Sequence, residues 1–169
     1  MSINEVTSYL SNYGMIFLFI IVFLEYLNLP GLAAGIIFPL AGAWVANSQG
    51  NLFLAIGVSV LAGVIGSWIL YGIGWYGGEI LIKKYTDKFP KQKEVVDKNI
   101  KLIREKGNYG IFISKLIPMI RTIVSLPAGA LKLNFLKYTI YSALGILIWN
   151  GAFMGAGYFF GEAVLKVLA

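Results

Sequence analysis

The sequence contains no cysteine and no histidine. Without cysteine there are no disulfides, no thiolate metal ligands and no thiol nucleophile. Without histidine the commonest metal ligand and the commonest general base are also missing. Hydrolases and zinc enzymes are hard to build from what remains, so the chain is read as a non-enzyme with no metal or cofactor. Charge is the next scarcity. Only 13% of the residues are Asp, Glu, Lys or Arg, against about 25% in soluble domains. The deficit is uneven, since no charged residue stands between Glu25 and Glu79 and residues 138–161 carry none. A soluble fold of this size could not hide that much apolar length in one core, whereas a bilayer accepts it. The expectation is a single membrane domain over 1–169. The start, Met1-Ser2-Ile3-Asn4-Glu5-Val6, lacks the basic region and small-residue cleavage site of a signal peptide, and is expected to be kept.

What is present is apolar chain cut into unequal pieces. Ile3, Val6, Leu10 and Tyr13 recur at helical spacing with polar residues between them, which predicts a short amphipathic helix at the interface over 3–13. The apolar run 15–24 leads to Glu25 and the turn-like Asn28-Leu29-Pro30-Gly31, and a second run, 32–46, contains Pro39. Neither reaches the ~20 residues of a straight crossing. Together, about 15–46, they fit a re-entrant hairpin or broken helix. Residues 52–76 are long enough to span, and their glycines are read as helix-packing positions. Composition changes at Glu79: from there to Lys106 lie nine Lys or Arg and five Asp or Glu. Val96, Ile100 and Ile103, backed by Val95 and Leu102, give this segment (about 79–106) an apolar face. It reads as a basic amphipathic segment on an anionic membrane surface, cytoplasmic by the positive-inside rule. Nucleic acid is discounted as a partner, because acids are interspersed and no binding motif accompanies the lysines. Residues 109–131 form a second broken segment, a spanning helix is expected at about 135–156, and Asn150 within it should bond a neighbouring helix.

The two broken segments resemble each other. The first runs from Leu29-Pro30-Gly31 to Pro39-Leu40-Ala41-Gly42, and the second from Ile117-Pro118 to Pro127-Ala128-Gly129. Each precedes a long spanning helix. Paired, proline-interrupted segments in two halves of a chain point to an inverted repeat with its site at the breaks. Proline withdraws a donor from the helical ladder, and lipid cannot satisfy the carbonyl left behind. Pro30, Gly31, Pro39, Pro118, Pro127 and Gly129 are therefore the candidate hairpin backbone positions.

Three charges fall inside these segments. Glu25 belongs to the first, Lys115 and Arg121 to the second. A charge at this depth costs on the order of 2.5–3.5 kcal/mol even on permissive scales, so such groups pair or face water. On an unbroken helix Lys115 and Arg121 would point about 120° apart. A break at Pro118 could turn both toward one cavity, where Arg121 would hold a phosphate through its planar fork and Lys115 would add a point charge. Glu25 would act as counter-charge or proton carrier. The bland alternatives are a structural Glu25–Arg121 pair and a Lys115 that snorkels to an interface.

The run Ser114-Lys115-Leu116-Ile117-Pro118-Met119-Ile120-Arg121-Thr122, continuing to Ser125-Leu126-Pro127-Ala128-Gly129, resembles the signature of the DedA family, also called the SNARE-associated or VTT-domain family. Glu25 before Leu29-Pro30, Gly66 with Tyr71-Gly72-Ile73-Gly74, and Ile148-Trp149-Asn150 support the resemblance, which covers nearly the whole chain. It implies an all-α polytopic protein of the bacterial inner membrane, with an inverted repeat, two re-entrant hairpins, transmembrane helices and interfacial helices. It also implies lipid translocation, and assigns Glu25 and Arg121 to the charges that function needs. The sequence departs from the family pattern at Lys115, where Arg is usual, and at Gly35, where an acid is frequent. Ser67 and Trp75 also replace frequent polar or charged residues.

The leading expectation is a flippase for a phosphate-bearing lipid, first undecaprenyl phosphate and second phosphatidylethanolamine, with the headgroup at Arg121 and Lys115. Alternatives are a phospholipid scramblase, a proton-coupled transporter of small solutes or drugs, and a membrane scaffold acting through 79–106. Expected partners are membrane lipids, with protons and a second copy of the chain as further candidates.

Overall fold

In a computed structural model, the protein is described over residues 3–28, 34–118 and 120–168. The candidate hairpin positions Pro30 and Gly31 lie outside the described residues. Among those residues there are eight helices and no strands: α1 (Ile3–Tyr26), α2 (Ala34–Asn47), α3 (Leu52–Lys88), α4 (Pro90–Lys106), α5 (Asn108–Lys115), α6 (Ile120–Ile123), α7 (Ser125–Ala130) and α8 (Phe135–Leu168). The all-helical membrane reading holds. Three helices are long and apolar enough to cross a bilayer, over Ser8–Tyr26, Leu52–Lys88 and Phe135–Gly161.

The helix limits follow local chemistry. Gly14 (φ 56°) separates the polar start of α1 from its apolar remainder, and Gly78 (φ 54°) breaks α3 one residue before the charges begin. Both take a left-handed conformation that costs glycine little. Each of the two later spanning helices starts on an asparagine cap. Asn51 Oδ1 accepts from the Leu54 N–H at 3.1 Å, and Asn134 Oδ1 from the Lys137 N–H at 3.0 Å. The helices also run past their expected ends, α3 to Lys88 and α8 through Phe160 to Leu168. On α8, Leu136, Ile140, Leu144, Leu147 and Ile148 are exposed along one stripe. In water that would be a liability; in lipid it is the solvent face.

The described chain groups into two compact units, one from Met1–Gly63 with Leu147–Ala169, the other Val64–Ile146. In the first unit α1 packs on α2, and the Tyr26 ring lies where a Cβ on Gly63 would be. Gly42 of α2 sits against the α8 backbone at Met154 and Tyr158, and Gly157 of α8 against the carbonyl of Pro39. In the second unit α4 covers α5, α6 and α7. Gly129 of α7 sits against the α3 backbone at Tyr71 and Trp75, and Gly74 of α3 against the carbonyl of Leu126. The two dockings match residue for residue: a glycine on each partner, and backbone on backbone. Gly74 also stands as far beyond the cap Asn51 as Gly157 stands beyond the cap Asn134.

The basic segment is not one helix. Phe89 interrupts it and Pro90 opens α4, where a proline's missing N–H costs nothing. Val96 and Ile103 of α4 are buried, so its apolar seam faces α5–α7 and its charges face outward.

Candidate functional site

The second broken segment is broken in the structure. Between Gly107 and Leu131 the chain makes three short helices of eight, four and six residues. None approaches the ~20 residues of a crossing. The backbone nevertheless keeps its hydrogen bonds through tight turns: Leu116 N–H to Ile113 O at 3.0 Å, Ile117 N–H to Ser114 O at 3.2 Å, and Arg121 N–H to Ile117 O at 3.1 Å. Pro118, which is exposed, brings no donor to this turn. Pro127 is buried within α7, and Pro39 within α2.

Lys115 closes α5 and is 1% exposed. Its Nζ donates to Ser67 Oγ of α3 at 2.8 Å and to Ser125 Oγ of α7 at 3.2 Å. Gly145 of α8 lies against the Lys115 Cβ, a space that any larger residue would take. Tyr138 of α8 donates through its hydroxyl to the carbonyl of Ser67 at 3.1 Å, and its ring stacks on Tyr71 at 4.5 Å between centroids. Lys115 thus does not snorkel outward. It joins three elements of the unit through neutral oxygens. α5 ends at Lys115, and its ammonium reaches both α3 and α7.

Arg121, on α6, is the largest fully buried side chain described, at 2% exposure. Thr122 beside it is 6% exposed, and Ser125 and Ser114 are wholly buried. The acids of this unit are Glu79, Asp87, Glu94, Asp97 and Glu105, and every one is exposed. From Gly107 to Gly161 the sequence has no acid at all. Among the described residues, the buried part of the second unit holds Lys115 and Arg121 together with the hydroxyl residues Ser114, Thr122 and Ser125.

The first unit carries a different set. Glu25 is 5% exposed at the end of α1, next to Tyr26 at 1%. The Tyr26 hydroxyl donates to Asn150 Oδ1 at 3.1 Å, and Asn150 Nδ2 donates to Ser59 Oγ at 3.2 Å. Asn150 does bond neighbouring helices, and it bonds two. Gly35, the frequent acid position, is exposed and contributes only backbone.

Sequence reasoning picked out the charges and missed their neighbours. Ser125 and Tyr138 were unremarkable among many hydroxyl residues. A signal for Ser67 was present, as the Lys115 and Ser67 departures from the family pattern are now seen to touch. Nothing marked Asn99, which is wholly buried on α4.

The VTT domain matches residues 29–159. The chain is similar to "Uncharacterized membrane protein YkoX" of Bacillus subtilis, 29% identical over 136 residues, 80% of this chain and 62% of that protein. It is similar to "Undecaprenyl phosphate transporter A" of Staphylococcus aureus, 28% identical over 149 residues, 86% of this chain and 73% of that protein. It is also similar to "Protein DedA" of Escherichia coli, 27% identical over 148 residues, 85% and 67%. The chain therefore spans between about three-fifths and three-quarters of these relatives. No solved structure matches it.

Proposed function

The chain belongs to the VTT-domain (DedA) family of membrane proteins, and on that premise we propose that it is a lipid translocase of the bacterial cytoplasmic membrane. Its cargo is a lipid with a phosphate headgroup, undecaprenyl phosphate first. The observation that carries this is the burial of Arg121 and Lys115 in a broken apolar segment, together with the hydroxyl residues Thr122 and Ser125. Cations among hydroxyl groups suit a phosphate: guanidinium binds it as a fork, and serine and threonine hydroxyls supply further donors. They do not suit the ammonium of phosphatidylethanolamine, which ranks second for that reason. The name of the Staphylococcus aureus relative points the same way.

In this mechanism Arg121 takes the headgroup directly, and Lys115, fixed by Ser67 and Ser125, supplies a standing positive field behind it. The apolar tails stay in the bilayer. The paired glycine dockings and paired asparagine caps support an inverted repeat of two re-entrant hairpins, 15–46 and 109–131, within one membrane domain. Glu25, buried at the end of α1, is the acid that a proton-coupled cycle would use. A homodimer is a further proposal of the same standing, as is contact of the exposed lysines of 79–106 with anionic lipid.

The test is transport of undecaprenyl phosphate and of phosphatidylethanolamine in proteoliposomes, with lipids that copurify identified by mass spectrometry. Wild type should move and retain the prenyl phosphate, and Arg121→Ala should do neither. If wild type moves no phosphate lipid, or Arg121→Ala moves it as fast, the proposal fails.

A further inference from the structure

One polar residue interrupts the apolar seam of α4. Val96, Asn99 and Ile103 follow one another on a single face, and all three are buried, Asn99 at 0% exposure. That face lies on α5, α6 and α7. An asparagine in such a place costs stability unless both ends of its amide are satisfied. Here one end is. Nδ2 donates to the carbonyl of Ile120 at 3.4 Å, and Oδ1 is buried with no hydrogen-bond partner among the described residues. The assignment of the two ends follows from chemistry, since a carbonyl oxygen requires the NH2 end and the oxygen is the atom left over. A leucine would suit the seam and leave no orphan. Packing alone does not call for an asparagine.

What Asn99 holds is the turn that carries Arg121. Ile120 opens α6, which is only four residues long. Its carbonyl also accepts the Val124 N–H at 3.1 Å. A helix this short has almost no ladder of its own, so its direction depends on what grips it from outside. We propose that Asn99 is a positioning residue for Arg121. It ties the charged helix α4 to the α6 turn, and so sets the direction in which the guanidinium meets a phosphate headgroup. The half-satisfied amide is stability given up for that grip. This inference rests on the reading of Arg121 as the headgroup ligand.

The absence of native cysteine provides a test that does not depend on transport. Thr122 is 6% exposed, so a thiol placed there by Thr122→Cys is protected from a maleimide while the turn is held. In the full chain in nanodiscs, Asn99→Leu is expected to leave the thermal midpoint unchanged or raised. Maleimide labelling of Thr122→Cys should rise roughly fivefold, the opening that loss of one buried hydrogen bond allows. Undecaprenyl phosphate transport should fall by a similar factor. Asn99→Gln, which keeps the amide, should recover part of the protection. If Asn99→Leu does not fold, Asn99→Ala and Asn99→Gln are compared in the same assay. Unchanged labelling in a folded variant overturns the proposal. So does a rise in labelling matched by a fall in midpoint, which is the signature of packing alone. Should wild type move no phosphate lipid, the functional reading fails by itself while labelling still decides the role of Asn99.

Discussion

The ammonium of Lys115 and the hydroxyl of Ser67 meet at 2.8 Å across 48 positions of chain. The contact ties the break after α5 to the middle of a spanning helix. Its energetics are lopsided. Removing an acceptor from a buried cation costs about 1.5–3 kcal/mol, whereas replacing the cation by an apolar chain of similar length removes the need for the acceptor. Ser67→Ala should therefore lower the midpoint of unfolding more than Lys115→Met does. Denaturant titration in detergent gives the order, and the reverse order would show that the serines are not what holds the lysine.

Glycine at the two helix dockings should be irreplaceable, and glycine that faces open space on a regular helix should not. A Cβ on Gly42 would run into the Met154 carbonyl, and one on Gly129 into the Tyr71 carbonyl. Backbone cannot step aside cheaply, so either alanine substitution should cost about 1–3 kcal/mol. Gly57 and Gly72 have open space around the same position. Alanine there should be neutral or stabilising by up to ~1 kcal/mol, through helix propensity. Thermal midpoints of the four single variants test this, and equal losses at all four would refute it.

Tyr26→Phe removes the donor to Asn150 Oδ1, 3.1 Å away. Interhelical hydrogen bonds in membranes average ~0.6 kcal/mol with a maximum near 1.7 kcal/mol, so the loss should be small but measurable. It should vanish in the Asn150→Leu background, because the acceptor is then gone. A double-mutant cycle reads the coupling directly.

Arg121→Lys is not a conservative change if the guanidinium forks a phosphate. It should keep the charge and the fold yet lose most of the copurifying phosphate lipid, as Arg121→Ala does. Lipid phosphorus per protein is the measurement, and retention of lipid by the lysine variant would reduce the role of Arg121 to charge alone.

On the outer face of α4, hydrogen bonding and charge from Lys98, 2.8 Å away, hold the Glu94 carboxyl below its usual value. A lowered carboxylate contributes above its unfolded value and loses that contribution as pH falls through the folded one. The pair stands in full solvent, where such bridges are screened to near nothing. Glu94→Gln should leave the unfolding midpoint unchanged from about pH 7 down to the carboxylate range.

Much of the fold was legible in the sequence. The breaks at Gly14 and Gly78 fall where composition turns from polar to apolar or back, because an amphipathic stretch is suited to the interface and an apolar one to lipid. The interruption around Pro118 was legible from proline itself, since a missing donor cannot be replaced by hydrocarbon. Less legible was the reach of α3 and α8 beyond their apolar cores, as helix propagation past an interface depends on propensity rather than hydropathy.

Composition and order alone determined that the chain inhabits a membrane, that it is helical, and which few charges stand within its apolar stretches. These depend on local quantities, namely the solvation cost of a charge, the length of an apolar run and the donor that proline lacks. Only tertiary structure decided which side chains the buried polar groups meet. Lys115 is held by Ser67 and Ser125, Asn150 by Tyr26 and Ser59, and the Arg121 turn by Asn99. Such partners lie tens of residues away on other helices, and hydrogen bonds depend on distances of a few tenths of an ångström. Helical periodicity places a residue on a face, but it does not say which serine among many will stand opposite.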